Sequence, residues 1–185
     1  IKCTFDTDTV TSNGLAGVYL HGNNGAASAS IGAIVKNSKI TSNTGIGVRI
    51  DEAPATVTTE TLQNNDISSN AGGGVAFSTA STLNGFTGNT IHSNTGDQIV
   101  VAARQTANAT WDFHSPTGCD ANRNQVYCYQ SGVGIRVTSV PFTMVDASFM
   151  TWANAVPTAA VDYVKTLAGD TVTVTSPCAA QPSCP

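Results

Sequence analysis

Charge is what this chain has least of. Asp, Glu, Lys and Arg make up 11% of its 185 residues, and eight Lys+Arg against twelve Asp+Glu leave a net charge of −4. A nucleic-acid-binding domain carries a basic patch, and eight cations scattered along the chain argue against that role. No apolar run approaches the ~18 residues that cross a bilayer as a helix. No two cysteines stand in C-x-x-C spacing and no His/Cys cluster resembles a zinc site, so no metal centre is predicted. No Ser/His/Asp or Cys/His set is discernible, and the calcium-binding nonapeptide Gly-Gly-x-Gly-x-Asp is absent: Gly72-Gly73-Gly74 has no Asp following in place. Low charge with low hydrophobicity would mean disorder. Here 41% of residues are apolar, enough for a core, and the length suits one domain.

What is present is Ser, Thr, Asn and Gly, in a pattern. Internal repeats are sought first because they decide the architecture. One phrase recurs at FDTDTVTSNGLAGVYL (5–20), VKNSKITSNTGIGVRI (35–50), LQNNDISSNAGGGVAF (62–77) and FTGNTIHSNTGDQIVV (86–101). Its apolar positions stay in register. Phe5, Val35, Leu62 and Phe86 form one column and Val10, Ile40, Ile67 and Ile91 a second. Val18, Val48, Val75 and Ile99 form a third, and Leu20, Ile50, Phe77 and Val101 a fourth. A degraded copy runs from Asn124-Gln125-Val126 to Gly134-Ile135-Arg136-Val137, with Tyr129-Gln130 in place of Ser-Asn.

The asparagines of the Ser-Asn pairs, Asn13, Asn43, Asn70 and Asn94, are spaced by 30, 27 and 24 residues. A helical hairpin repeat would show a 3.6 period over ~33–47 residues. Here apolar residues alternate within short segments, which is the strand period. Short strands joined by Asn/Gly turns describe a β-solenoid whose coils stack ~4.8 Å apart. Like residues then stack on like. Apolar columns face inward, and Asn amides bond up and down the stack, with Asn also tolerating the left-handed turn conformation. Asn13, Asn43, Asn70 and Asn94 are therefore expected to be a structural ladder rather than a ligand site.

The phrase Asn-x-Ile-x-Ser-Asn-x-x-Gly-x-Gly-Val resembles the right-handed parallel β-helix repeat of the pectate-lyase-like superfamily, over residues 5 to about 140. The resemblance implies an all-β fold, a right-handed parallel β-helix of about five to six coils. It implies little about activity, since that superfamily spans polysaccharide lyases, glycoside hydrolases, epimerases, tailspikes, adhesins and bacterial surface proteins. Residues 1–140 are expected to form the coils and 141–185 a C-terminal cap. In that cap PTAAVDYVKTLAG (157–169) reads as a short helix, with Thr158 as N-cap and Gly169 as its stop. TVTVTS (171–176) reads as a strand, and a Pro/Cys tail follows.

A composition rich in Asn and Thr and poor in Lys and Glu points to a secreted or cell-surface protein, where disulfides persist. Cys119–Cys128 and Cys178–Cys184 are the expected pairs, because each is close in sequence. Cys3 is left over: either it had a partner upstream or it is a buried free thiol. The opening Ile-Lys-Cys, without Met, suggests that the chain is the C-terminal part of a longer protein, with an upstream domain as neighbour.

Two clusters are candidate active sites. Arg49, Asp51 and Glu52 could supply the base and part of the acidic Ca²⁺ cage of a polysaccharide lyase, although a solvated turn is the simpler reading. The resemblance implies Asn-Thr-Asp, Asp-Asp, Gly-His-Gly and Arg-Ile-Lys for a polygalacturonase. This chain has Arg49-Ile50 followed by Asp51, Asn94-Thr95 followed by Gly96, and neither of the other two. In Trp111-Asp112-Phe113-His114, Trp111 and Phe113 could stack on sugar rings while Asp112 and His114 do acid–base work. The alternative is that the aromatics pack over the side of the solenoid. Asn108-Ala109-Thr110 is a glycosylation sequon in a eukaryotic source. The expectation is a non-catalytic bacterial surface module, structural or binding a polysaccharide or matrix. The alternatives are a carbohydrate-active enzyme and a self-assembling subunit of an extracellular filament or spike.

Overall fold

The structure, a computed structural model, describes residues 2–21, 32–51, 59–78, 82–103, 110–138, 143–179 and 184. Three short strands make each coil. The first coil is β1 (Lys2–Asp6), β2 (Thr9–Thr11) and β3 (Val18–His21). The second is β4 (Gly32–Lys36), β5 (Lys39–Thr41) and β6 (Ile46–Asp51), and the third β7 (Thr59–Gln63), β8 (Asp66–Ser68) and β9 (Gly73–Phe77). Then come β10 (Thr82–Thr87), β11 (Thr90–His92) and β12 (Ile99–Val101), followed by β13 (Trp111–Asp112), β14 (Gln125–Tyr127) and β15 (Ile135–Val137). The last coil is β16 (Met144–Asp146), β17 (Thr151–Trp152) and β18 (Tyr163–Lys165), and β19 (Thr171–Thr173) starts the next turn.

Equivalent strands stack into parallel sheets. Sheet A is β1-β4-β7-β10, sheet B is the six-stranded β2-β5-β8-β11-β14-β17, and sheet C the six-stranded β3-β6-β9-β12-β15-β18. Sheet A is interrupted after β10, and β13-β16-β19 form a separate sheet D beyond the break. The apolar columns fall where the repeat puts them. Val10, Ile40, Ile67, Ile91, Val126 and Trp152 are consecutive partners in sheet B. Val48 and Ile50 pair with Val75 and Phe77, then with Ile99 and Val101. All but the outermost members are buried, each such side chain contributing roughly 1.5–3 kcal/mol.

The corners hold the polar interior. Ser12, Ser42, Ser69 and Ser93, not the asparagines after them, take the left-handed conformation, with φ between 54° and 59°. Cys128 and Phe149 occupy the same corner at φ 54°. The left-handed residue turns the chain so that the next side chain enters the core. The cost of a non-glycine residue there, of order 1–3 kcal/mol, is offset by what that side chain bonds. Asn43 Oδ1 accepts from the backbone N and the Nδ2 of Asn13, both at 3.0 Å. Asn70 Oδ1 does the same for Asn43 (3.0 and 2.8 Å), and Asn94 Oδ1 for Asn70 (2.9 and 3.0 Å). The Nδ2 groups of Asn70 and Asn94 also donate to the Ile40 and Ile67 carbonyls. Gln98 ends the ladder by accepting from Asn94 Nδ2 at 2.7 Å. In the next coil Tyr129 replaces the asparagine.

A second ladder lies at the corner between sheets A and B. The backbone N of Ser38 donates to Asn65 Oδ1, that of Asn65 to Asn89 Oδ1, and that of Asn89 to Asn124 Oδ1, at 3.0–3.2 Å. Its left-handed residues are Thr7, Asn37, Asn64 and Gly88. At Gly88, φ 67°, a Cβ would meet Asn64 Oδ1, so a side chain there would have to displace the Asn64 amide.

Beyond residue 140 the structure corrects the sequence. No helix occurs among the described residues of 157–169. Thr158 and Asp162 close a turn, with Asp162 N donating to Thr158 O at 2.8 Å and Thr158 N to Asp162 Oδ2 at 2.9 Å. Tyr163–Lys165 then pairs with β15 as a strand. Gly169, at φ 87°, serves the turn before β19. The coils thus continue where a cap was expected, because stacking on a preformed sheet edge outweighs local helix preference. The disulfides are also different: Cys119–Cys178 and Cys128–Cys184, spanning 59 and 56 residues. A solenoid returns the chain to the same corner on every turn, so residues some coils apart become neighbours. Cys178 lies on the edge of β17, bridged to Thr151, and its backbone N donates to the Met150 carbonyl. Cys3 is free and exposed rather than buried.

Replacing Asn70 with Ala removes the acceptor for two Asn43 donors and the donor to Ile40. Each buried group left unpaired costs ~1–3 kcal/mol. Urea unfolding of Asn70→Ala should show a loss of at least about 2 kcal/mol, whereas Asn13→Ala, at the exposed end, should cost less than about 1 kcal/mol.

Candidate functional site

Strand alternation in sheet C sends Val18 and Leu20 inward and Tyr19 and His21 outward. Pairing of β3 with β6 sets Tyr19 beside Arg49 and His21 beside Asp51. These four side chains form one cluster. Arg49 Nη2 donates to Asp51 Oδ2 at 2.7 Å, and the Arg49 guanidinium lies 5.3 Å from the Tyr19 ring centroid. Tyr19 Oη donates to the same carboxylate oxygen at 3.3 Å and lies 3.2 Å from His21 Nδ1. His21 Nδ1 is 2.9 Å from the Asp51 carbonyl. A carbonyl only accepts, so Nδ1 carries the proton.

Beside the cluster runs a groove of about 210 Å³ lined by Leu15, Ala16, Tyr19, Gly45, Ile46 and Arg49. Leu15 is 81% and Tyr19 51% exposed, so both present apolar surface to solvent. Glu52 lies outside the described residues. Of the proposed acidic cage only Asp51 is therefore placed, and it is engaged by Arg49. Among the described residues no three His, Cys, Asp or Glu side chains come together in a metal-binding group.

Trp111 and Phe113 are placed differently from a sugar-stacking pair. Both are 0% exposed. Trp111 Nε1 donates to the Ala103 carbonyl at 2.9 Å. The Trp111 ring lies 4.6 Å from that of Phe77, and Phe113 lies 4.7 Å from Phe86. They fill the core where sheet A breaks, packed against Phe77 and Phe86 of the preceding coils. Asp112 and His114, alternating with them, face outward. His114 Nδ1 contacts Asp112 Oδ1, which also accepts from the His114 backbone N at 3.1 Å. The pair lines a groove of about 160 Å³ with Asn84, Thr87 and Pro116. It sits on sheet D, while Arg49 and Asp51 sit on sheet C, so the two candidate clusters do not form one site.

The asparagines Asn43, Asn70 and Asn94 are buried, with no surface left for a ligand. The sequence reading missed the second ladder, although Ser38, Asn65, Asn89 and Asn124 recur ahead of the Ile column. It also missed the groove at Leu15 and Tyr19, which is assembled from two coils.

A family profile described as the right handed beta helix region matches residues 2–140. The chain belongs to the right-handed β-helix family. No curated protein and no solved structure matches it. The pectate-lyase-like resemblance is consistent with this β-helix. Its interior among the described residues is accounted for by the apolar columns and the asparagine ladders.

One outward pair on sheet B bears on stability. His92 Nε2 is 3.3 Å from Asp66 Oδ1, and the imidazole stacks on Tyr127 with centroids 4.9 Å apart. No donor is aligned on Oδ1, so this is a close polar contact more than a directional bond. The His92 imidazole is the largest cause holding the Asp66 carboxyl below its ordinary value. A carboxyl depressed on folding stabilises the protein above its unfolded pKa of about 3.9, and that stability is lost as pH falls through the lower folded value. Asp66→Asn should lower the urea midpoint near neutral pH and flatten its fall as the pH drops from about 5 to about 2.

Proposed function

We propose that this β-helix is an extracellular, non-catalytic module of a surface protein that binds polysaccharide or matrix glycan. The observation that carries the reading is the groove beside Tyr19. There an exposed aromatic ring, the side chains of Leu15 and Ile46, and a fixed Arg49–Asp51 pair meet on one rigid sheet edge. Binding sites are concave, mostly apolar and fitted with a few placed polar groups. Tyr offers contact area at one end and a hydrogen-bonding group at the other. Two disulfides support an oxidising compartment, and no described helix is long and apolar enough to cross a membrane.

The second reading is a carbohydrate-active enzyme, favoured by the Asp112–His114 pair. A carboxylate on Nδ1 leaves the other imidazole nitrogen for proton transfer, and a groove adjoins it. Incubation with a panel of polysaccharides, with and without calcium, separates the two. Retained protein without new reducing ends supports the module, and Tyr19→Ala should then weaken retention about tenfold, or ~1.4 kcal/mol. Release of reducing ends, abolished by His114→Ala, would establish the enzyme instead.

A further inference from the structure

We infer that the Tyr19 groove selects uncharged glycans over polyanionic ones, and that Asp51 sets this selectivity. The inference rests on the polysaccharide reading and names its ligand class. An arginine at the edge of an open groove is ordinarily a receptor for carboxylate or sulfate, because its planar N–H groups match two oxygens at once. Arg49 is the only basic side chain lining this groove among the described residues. Its Nη2 is already committed to Asp51 Oδ2 at 2.7 Å, with the guanidinium held against the Tyr19 ring. An incoming carboxylate meets Asp51 beside the one cation that would receive it, so attraction and repulsion nearly cancel. A hydroxyl both donates and accepts. It can accept a hydrogen bond from the guanidinium and donate one to the carboxylate, so the ion pair suits a neutral polyol.

The same arrangement recurs along the outward row of sheet C. Register carries that row from Tyr19 through Arg49, Ala76, Val100 and Arg136 to Val164. Arg136, its other arginine, is held by Asp97, with Nη2 donating to Oδ1 at 3.0 Å and Nε to Oδ2. Each arginine of the row is thus matched by an aspartate, and the chain as a whole is acidic. Among the described residues of this row, no arginine is left without an aspartate partner. The apolar contribution comes from Leu15, Ile46 and the Tyr19 ring, which suit the C–H faces of a pyranose.

The test is affinity electrophoresis of the full chain in gels holding a neutral glucan, a neutral galactomannan or polygalacturonate, at low salt and without calcium. The parent protein should be retarded by a neutral glycan and at least about tenfold less by polygalacturonate. Asp51→Asn, which frees the Arg49 charge, should gain retardation by polygalacturonate that disappears at about 0.5 M salt. Adding Arg49→Gln to that variant should cancel the gain, with circular dichroism confirming that every variant is folded. A parent protein that prefers polygalacturonate would overturn the ligand class while leaving polysaccharide binding intact. Failure of folded Asp51→Asn to gain polyanion binding would overturn the role of Asp51. A parent protein retarded by none of the three, nor by a wider polysaccharide panel, would sink the binding reading itself.

Discussion

A chain that turns a corner inside an apolar core leaves backbone N–H groups that no strand pairing can reach. Burying such a group without a partner costs several kcal/mol at most and about one at least, and a solenoid repeats the problem on every coil. In this protein the amide of an asparagine one coil further on solves it. Its Oδ1 takes the stranded N–H together with the preceding side chain's Nδ2, and its own Nδ2 goes back to a strand carbonyl. The remaining architecture follows from that exchange. It fixes the position of each corner, requires a left-handed residue just before the asparagine, and keeps the apolar columns in register between corners.

Locking two corners has a consequence for where variation can go. Between sheets A and B the connection is two residues long in each coil through β11, as at 37–38 and 64–65. The connections from sheet C to the following coil differ in length: ten residues separate β3 from β4, seven separate β6 from β7 and four separate β9 from β10. The repeat intervals of 30, 27 and 24 residues differ because of them. Sheet C, whose strands run into those connections, is where Tyr19, Arg49 and Arg136 face outward. The stacked strands thus hold still the outward side chains proposed to bind glycan.

Much of this was legible in the residues. Equal spacing of Val, Ile and Phe across four copies is a statement about stacking, and Val10, Ile40, Ile67 and Ile91 are indeed paired strand to strand. The errors share a cause. Local reasoning treats sequence neighbours as spatial neighbours, and a solenoid makes the rung above, about 4.8 Å away, a closer neighbour than a residue several positions along the chain. Cys119 therefore bonds Cys178 and not Cys128. Tyr163–Lys165 joins an existing edge instead of turning into a helix. Trp111 and Phe113 read as a loop because the repeat lapses there, yet they fill the core at the break in sheet A. The Tyr19–Arg49 groove needed the structure because it is assembled from two coils, and neither copy of the repeat shows it alone.

Native-state hydrogen exchange, resolved by residue, is the most direct measurement of the ladder's role. The backbone amides of Asn43 and Asn70 donate to side chains rather than to strands. They should nevertheless exchange as slowly as the strand amides of Ile40 and Ile67, through global unfolding, while the amide of Asn13 at the exposed end exchanges faster. Asn43 and Asn70 exchanging at the rates of open turns, with the strands protected around them, would contradict the claim that the ladder holds the corners.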